Sequence, residues 1–221
     1  MRDTTMARVL VVAKAPVAGR VKTRLGAEIG MAAAAEVAAA SLLDTMAACR
    51  DGFGPDACLL SLSGDFADAV RGDELIRATD GWSVARQRGS TFAERLANSH
   101  LDVPPGGSVV QVGMDTPQLT AALLGEVAVA VEEHDAVLGP AEDGGWWVLA
   151  LRRPVAARSL HDVPMSTPTT YDETLRALVG EGLDVGVAST LRDVDTAADA
   201  DAVAAHVADG EFARAWREVQ R

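Results

Sequence analysis

A chain of 221 residues is long enough for one α/β domain with a sizeable core, and a hydrophobic content of 48% excludes a disordered protein. The formal net charge of -12 disfavours a general nucleic-acid-binding protein, which needs a basic face, but it allows an enzyme whose cations are local. Aromatic residues make up only 4%, so Ala, Val and Leu must build most of the core. We expect residues 1–221 to form a single domain.

Apolar runs and helical patterns alternate along the chain. Strands are predicted at residues 8–13, 57–62, 83–87, 108–113, 136–138, 146–151 and 184–188. Helices are predicted at residues 32–50, 66–78, 91–100, 117–133 and 170–180 and from residue 197 onward, with Ser90 as a candidate N-cap. Strands that alternate with helices in this way predict an α/β fold, with a mostly parallel sheet and helices on both of its faces.

The cellular location is predicted from three features. The Ala-rich run at residues 31–49 contains Glu36 and Asp44 and is typical of a soluble helix. The apolar stretch near the N-terminus is short and does not have the pattern of a signal peptide. Cys49 and Cys58 form no metal or redox motif, which is typical of a reducing compartment. We therefore expect a cytoplasmic protein with no membrane or nucleic-acid partner, in an oligomeric state that the sequence leaves open.

The loop after the first predicted strand, residues 14–25, carries two Lys and two Arg. Ligands of open α/β sheets bind at this carboxyl edge, so a loop this rich in cations indicates an anionic ligand such as phosphate. A P-loop is excluded because Pro16 and Val21 occupy its glycine positions before Lys22 and Thr23, and the dinucleotide fingerprint is absent. A surface turn with solvated charges is the alternative.

Asp115 follows the predicted strand at residues 108–113, so its carboxylate should lie at the same edge. Gly113 allows close backbone approach to a ligand, and Pro117 suits the first position of the next helix. A carboxylate in this place is a good ligand for Mg²⁺, which prefers oxygen donors. The alternative is that Asp115 only caps the helix.

A second acidic segment, Asp193-Val194-Asp195-Thr196, follows the last predicted strand. Its position there could bring Asp193 or Asp195 toward Asp115, and converging carboxylates would hold Mg²⁺ against a polyphosphate. The alternative is an acidic N-cap of the terminal helix.

Three further segments carry candidate ligand contacts. Residues 142–147 place Asp143 and two glycines before paired tryptophans, a pattern that indicates close approach of a ligand to the backbone. Gln87 and Gly89 precede a helix and could contact a base or a sugar, although the arginines around them could simply be solvated. The hydroxyl-rich residues 165–169 could contact an acceptor.

Taken together, four motifs resemble a known family. They are K-x-P-x-x-G-x-V-K-T-R-L at residues 14–25, G-x-D-x-P-x-L at 113–119, G-P-A-x-D-G-G at 139–145 and D-V-D-T at 193–196. The combination resembles an uncharacterised glycosyltransferase-like family of GT-A fold, which is similar to phospholactate guanylyltransferase and to molybdenum cofactor guanylyltransferase. The resemblance implies a three-layer α/β/α nucleotide-diphospho-sugar transferase fold of the Rossmann-like, GT-A type.

The resemblance also implies roles for residues of this chain. The nucleotide would be bound by Lys14, Pro16, Gly19, Lys22, Arg24, Gln87, Gly89 and Gly113. Of these, Lys14, Gly19, Lys22 and Arg24 would lie at the phosphates, and Gln87 and Gly89 near the base. The metal, Mg²⁺ or Mn²⁺, would be held by Asp115, Asp193 and Asp195. The catalytic residues would be Lys22, Arg24, Asp115 and Asp143, with Asp143 and Gly144 facing the acceptor.

These roles support three hypotheses of function. The first is Mg²⁺-dependent transfer of an NMP group from an NTP to a small phosphorylated acceptor, with release of pyrophosphate; an acceptor phosphate is already ionised and needs no general base. The second is glycosyl transfer from a nucleotide-sugar to a hydroxyl acceptor, with Asp143 as base. The third is a nucleotide-binding protein without catalysis. The cation-rich first loop favours a triphosphate donor and hence the first hypothesis.

Overall fold

The computed structural model describes residues 7–207 and 209–221. Its strands are β1 (Arg8–Lys14), β2 (Cys58–Ser63), β3 (Ser83–Arg86), β4 (Val109–Val112), β5 (Ala136–Pro140), β6 (Trp146–Leu151) and β7 (Val185–Val187). Its α-helices are α1 (Thr23–Ile29), α2 (Met31–Phe53), α3 (Gly72–Ala78), α4 (Phe92–Leu101), α5 (Ala121–Glu133), α6 (Thr170–Gly180), α7 (Ala197–Ala204) and α8 (Glu211–Val219). Short 3₁₀ segments lie at Pro55–Ala57, Phe66–Asp68 and Pro154–Leu160.

The strands form one seven-stranded sheet in the order β3-β2-β1-β4-β6-β5-β7. Strand β6 runs antiparallel to β4 and β5, whereas the remaining neighbours pair in parallel. The prediction of a mostly parallel α/β sheet is therefore confirmed. The order changes direction around β1 and β4, and the crevice at such a switch point is where open α/β sheets bind ligands.

Strand β1 shows why helices cover both faces of the sheet. Its side chains alternate, so Val9 and Val11 enter one apolar cluster and Leu10 and Val12 enter another. The first cluster is completed by α2 and α5 and the second by α4, α6 and the segment Pro154–Leu160. This three-layer α/β/α arrangement confirms the predicted fold class; the prediction of a single domain stays a prediction.

Helix α2 is long and apolar enough, by length and composition alone, to cross a membrane. The window that passes this test is 61% buried inside the protein. Leu42 and Met46 pack from this helix into the first cluster, so its apolar character is explained by the core that it covers.

Several predicted boundaries are wrong, and local hydrogen bonds explain them. The helix predicted from Pro117 begins at Ala121, because Pro117 lies in a turn and the Thr120 side chain caps the helix. Thr91 caps α4 in place of Ser90, since Thr91 and Glu94 form a reciprocal capping box.

The structure also contains more helical segments than were predicted. The stretch predicted as a helix at residues 66–78 is divided into Phe66–Asp68 and α3, and the C-terminal tail contains two helices, α7 and α8. Helix α1 and the segment Pro154–Leu160 were not predicted. At seven residues each, they are too short to show a clear helical periodicity.

Candidate active site at the carboxyl edge of the sheet

The first loop brings Lys22 to the carboxyl edge of the sheet. It leaves β1 at Lys14, and the Pro16 carbonyl accepts a hydrogen bond from Val70 N–H (2.9 Å). Lys22 then occupies the residue before α1 with φ 45°, a left-handed conformation that is uncommon for a residue other than glycine. Such strained positions cluster at functional sites.

The Lys22 ammonium bridges two carboxylates. Its Nζ lies 2.8 Å from Asp115 Oδ2 and 2.6 Å from Asp195 Oδ1, and its side chain is only 11% exposed. Burial acts to lower the pKa of Lys22, but the charges of Asp115 and Asp195 outweigh burial and hold this pKa above its usual range. Arg24, which is largely exposed, places Nη1 3.1 Å from Asp195 Oδ2. Lys22 and Arg24 thus meet carboxylates at this edge, whereas Lys14 and Arg20 of the same loop are exposed.

Asp115 is aimed at this point by the turn that follows β4. A Cβ atom at Gly113 would lie 2.9 Å from Asp115 Oδ1, so the turn places this carboxylate where a larger residue at position 113 would crowd it. The alternative in which Asp115 caps the following helix is wrong, because Thr120 performs that role.

Backbone hydrogen bonds fix the acidic segment beside Asp115. Leu191 N–H donates to the Pro140 carbonyl (3.1 Å), and Val194 N–H donates to the Asp115 carbonyl (3.0 Å). Neither Asp193 nor Asp195 caps the following helix, because Thr196 caps α7 in a capping box with Asp199. The carboxylates of Asp193 and Asp195 are left to face the site.

Asp115, Asp193 and Asp195 form a cluster that fits a divalent cation. Each offers one carboxylate oxygen, and these oxygens lie within 4.8 Å of one another. An all-carboxylate set of hard oxygen donors suits Mg²⁺ or Mn²⁺. Burial, together with the charges of Asp115, Asp143 and Asp195, raises the pKa of Asp193 to about 7, although Lys22 opposes the shift. Burial and the neighbouring carboxylates thus both disfavour the ionised form of Asp193.

Asp143 lies in the tight turn between β5 and β6 and lines a cavity together with Asp115 and Asp193. Its Oδ1 accepts a hydrogen bond from Gly145 N–H (2.7 Å). The turn is locked against the segment before α6, because a Cβ atom at Gly144 would lie 2.0 Å from the Pro168 carbonyl oxygen, and Tyr171 N–H donates to the Gly144 carbonyl (2.8 Å).

The remaining predicted nucleotide contacts lie along the β1–β3 half of the edge. Lys14 is exposed at the end of β1, and Gly19, with φ 75°, turns the loop. Gln87 Nε2 donates to the carbonyls of Ala13 (2.9 Å) and Ser61 (3.0 Å), so this amide ties the ends of β1 and β2 together.

Gly89 also has a local structural role. Its φ is 133°, and a Cβ atom there would lie 2.8 Å from Glu94 Cβ on α4. The neighbouring Arg88 pairs with Asp102 (2.8 Å). The contacts of Gln87 and Gly89 with a nucleotide base stay predictions.

A cavity of about 170 Å³ lies beside the carboxylates, between β4, the β5–β6 turn, α4 and the segment before α6. Asp115, Asp143 and Asp193 line it together with Trp146 and Phe92. Gln111 and Thr116 also line this cavity, although neither was predicted from the sequence as a site residue. For Gln111 the available signal was its place as the one polar residue in the apolar strand β4. A larger groove of about 850 Å³ opens between α2, α7 and the residues before α5, away from the three carboxylates of the cluster.

A protein-family model matches residues 45–167, more than half of the chain. The chain belongs to this family, DUF2064. The family is described as an uncharacterized protein conserved in bacteria. Among curated proteins, no match to this DUF2064 member was found.

Solved structures share the fold of this DUF2064 member. A putative nucleotide-diphospho-sugar transferase from Desulfovibrio desulfuricans G20 has a TM-score of 0.83 at 22% identity, covering 97% of this chain and 94% of that one. A CMP:2-keto-3-deoxy-manno-octonic acid synthetase complexed with CTP has a TM-score of 0.54 at 14% identity, covering 92% and 99%. Rv0371c from Mycobacterium tuberculosis H37Rv, in complex with manganese, has a TM-score of 0.51 at 21% identity, covering 90% and 98%. The predicted nucleotide-diphospho-sugar transferase fold is confirmed, whereas the finer resemblance to guanylyltransferases stays a prediction.

Proposed function

We propose that the chain is a Mg²⁺- or Mn²⁺-dependent nucleotidyltransferase that moves an NMP group from an NTP to a small acceptor and releases pyrophosphate. The observation that carries the proposal is the meeting of Lys22 and Arg24 with the carboxylate cluster of Asp115, Asp193 and Asp195 at the carboxyl edge of the sheet. Cations for a polyphosphate and oxygen ligands for a metal are thereby held at one point.

In this proposal Asp115, Asp193 and Asp195 hold the metal. When bound there, Mg²⁺ or Mn²⁺ supplies charge neutralisation and orientation of the phosphate oxygens. Two neighbours of the same fold support these ligands, since one was solved with CTP and another with manganese.

The chain's own cations carry the rest of the charge in this proposal. Lys22 exchanges its carboxylate partners for phosphate oxygens, and Arg24, already at the mouth of the site, contacts the departing pyrophosphate. Such side chains act on charge that develops during the reaction, and removal of one typically costs about 10²–10³ in rate. Lys14 and the turn at Gly19 extend the same cationic surface along the nucleotide.

Glycosyl transfer from a nucleotide-sugar is the second candidate. The structure with a TM-score of 0.83 is named a putative nucleotide-diphospho-sugar transferase, and Asp143 beside the cavity could serve as base for a hydroxyl acceptor. The same cations and carboxylates would then stabilise a departing nucleoside diphosphate.

A thermal-shift screen separates the two candidates. NTPs, nucleoside diphosphates and nucleotide-sugars are each compared with and without Mg²⁺, because a ligand well above its Kd raises stability by a few kcal/mol, roughly 2.7 at a hundredfold excess over Kd. Stabilisation by one NTP that depends on Mg²⁺ supports nucleotidyl transfer. Stabilisation by a nucleotide-sugar and its nucleoside diphosphate, but not by the NTP, favours glycosyl transfer.

A further inference from the structure

The cavity beside the carboxylates is lined by both polar and aromatic side chains. Phe92 and Trp146 form part of the wall, and Trp146 is held in place because its Nε1–H donates to Thr174 Oγ1 (3.2 Å). At about 170 Å³ the cavity is smaller than the ~300–1,000 Å³ of pockets that hold drug-sized ligands. It therefore suits a molecule the size of a monosaccharide.

Two deeply buried polar side chains lie in the lining, and the amide of one of them, Gln111, also interacts with the buried His100 ring. Gln111 and Thr116 are each only 1% exposed, and within the described part of the chain Gln111 Oε1 and Thr116 Oγ1 receive no hydrogen bond. Buried polar atoms are normally paired, because leaving one unpaired is costly. Both oxygens expose almost no surface, so a ligand in the cavity supplies hydroxyl groups to them once these side chains rotate toward it.

A strained residue borders the same cavity. Ser166 has φ 60° and lies in the segment before α6 that packs against Gly144. Left-handed conformations are uncommon for residues other than glycine, and strained positions of this kind cluster at functional sites. Ser166 adds a hydroxyl to the cavity lining at a point that the fold holds in an unfavourable conformation.

Charge distinguishes the two sides of the site. On the first-loop side lie Lys22 and Arg24, but none of the described residues that line the cavity is Lys, Arg or His, and three are Asp. Arg95, on the same helix as Phe92, stacks over that ring at 5.9 Å and is not among the lining residues. With a metal held by Asp115 and Asp193, Asp143 is the acidic residue left to face the acceptor, and the described lining offers no basic side chain to an anionic one.

From these observations we infer that the cavity binds the acceptor and that the acceptor is an uncharged, polyhydroxylated molecule of monosaccharide size. This inference rests on the proposed function and replaces the phosphorylated acceptor expected from the sequence. The hydroxyl groups pair with Ser166 and, once their side chains rotate toward the cavity, with Gln111 and Thr116, while an apolar face of the ring packs on Trp146.

The transfer step changes accordingly. An acceptor hydroxyl gives its proton to the Asp143 carboxylate, and its oxygen forms a bond to the α-phosphorus of the NTP. The bond between the α-phosphorus and the bridging oxygen of the β-phosphate breaks, and pyrophosphate leaves with the electron pair. The products are the NMP ester of the acceptor and pyrophosphate.

Saturation-transfer NMR tests binding without requiring turnover. The full chain with Mg²⁺ is mixed with D-glucose, D-ribose or myo-inositol, and separately with glucose 1-phosphate, glucose 6-phosphate or ribose 5-phosphate. We expect saturation transfer to at least one neutral compound, with at least tenfold weaker binding of its phosphate. Binding of the phosphates alone, or of none of the neutral compounds, overturns the inference. Failure of the proposed function shows separately, as absence of pyrophosphate release from every NTP.

Two near-isosteric variants test the unpaired groups. Thr116→Val and Gln111→Leu should each weaken binding of the neutral compound at least tenfold while leaving the unfolding midpoint unchanged or higher, because each removes an unpaired buried polar atom. The buried His100 ring neighbours Gln111. A lower unfolding midpoint of Gln111→Leu would therefore show that the Gln111 amide is a partner of His100 in the folded protein. Thr116→Val then decides, and unchanged binding in it overturns the inference.

A matched control and a competing occupant complete the test. Thr45 is fully buried in α2, but its Oγ1 donates to the Ser41 carbonyl (3.0 Å). Thr45→Val should therefore lower the unfolding midpoint and leave binding unchanged. If Thr116→Val instead weakens binding of an NTP and leaves the neutral compounds unaffected, the cavity binds the nucleotide and the inference is wrong.

Discussion

Replacement of Lys22 by Met removes the ammonium that bridges Asp115 and Asp195 and keeps a side chain of similar length. The lost contacts measure 2.8 and 2.6 Å, and a hydrogen bond to a charged group contributes a net ~1.5–3 kcal/mol. The side chains of Asp115 and Asp195 are 33% and 28% exposed, so solvent screens both contacts. The folded protein also loses the hydration of the Lys22 ammonium, which the substitution no longer costs. Together these effects reduce the contribution of the two contacts to a total of ~1.5–3 kcal/mol. We expect Lys22→Met to lose this amount of unfolding free energy.

The same contacts set the affinity for a metal. Lys22 and a divalent cation compete for Asp115 Oδ2 and Asp195 Oδ1, so a cation bound in Lys22→Met no longer has to displace the ammonium. At 1.4 kcal/mol for each factor of ten, Mn²⁺ should bind about 10–100-fold more tightly to the variant, whereas turnover should fall about 10²–10³-fold.

Isothermal titration with Mn²⁺, urea unfolding and pyrophosphate release measure these effects on one preparation. Arg24→Gln is the control, because Arg24 is 70% exposed and makes one contact to Asp195 at 3.1 Å; we expect its stability and Mn²⁺ affinity to change little. If Lys22→Met is as stable as the wild type and binds Mn²⁺ no more tightly, then the bridge does not govern this cluster and the reasoning is refuted.

Three further predictions concern other residues. Asp115→Asn should abolish pyrophosphate release while the circular dichroism spectrum stays native, and an active variant would exclude Asp115 as a metal ligand. Burial, only partly opposed by the side chain of Gln111, lowers the pKa of His100 from 6.5 to about 3. Between these pH values the unfolded chain binds a proton at His100 that the folded protein does not bind. The free energy of unfolding should therefore be full above pH 6.5 and fall by up to about 1.4 kcal/mol per pH unit below it. Urea unfolding across this range should show a shallower loss in His100→Phe, and equal slopes would contradict the assignment. Gly144→Ala should lower the unfolding midpoint and acceptor-dependent turnover, because its Cβ would meet the Pro168 carbonyl oxygen at 2.0 Å. The control is Gly182→Ala, at φ 78° and with open space around its Cβ among the described residues, which should carry only the smaller cost of the left-handed backbone. An equal effect of both substitutions would exclude a role for the turn.

The architecture could be predicted because it depends on local patterns. Alternating apolar runs and helices give the mostly parallel sheet, and parallel strands must end at one edge, so Lys22 and Asp115 were expected to meet there. The position of Asp193 and Asp195 after the last strand allowed either of them to approach Asp115, but it equally allowed an acidic N-cap, and only the structure decides between the two. Pro117 misled the prediction because proline suits both a first helical turn and an ordinary turn, and only the Thr120 cap decides between them.

The finer chemistry of the site depends on side-chain packing that no local pattern encodes. Lys22 was expected at phosphates, yet in the structure it bridges two carboxylates, a choice set by chain segments more than ninety residues apart. Gln111 and Thr116 line one cavity only because β4 and the turn after it lie against α4 and the segment before α6. The split of charge between the first loop and the cavity likewise emerges only when residues far apart in the sequence are placed together.

Nucleotidyl transfer is tested most directly by product analysis. The full chain is incubated with Mg²⁺ or Mn²⁺ and each NTP in the presence of the neutral sugars, and in parallel with the corresponding nucleotide-sugars. We predict an acceptor-dependent release of pyrophosphate, with an NMP ester of the acceptor as the second product, that is lost in Asp115→Asn. Release of a nucleoside diphosphate from a nucleotide-sugar, with no pyrophosphate from any NTP, would contradict nucleotidyl transfer and establish glycosyl transfer in its place.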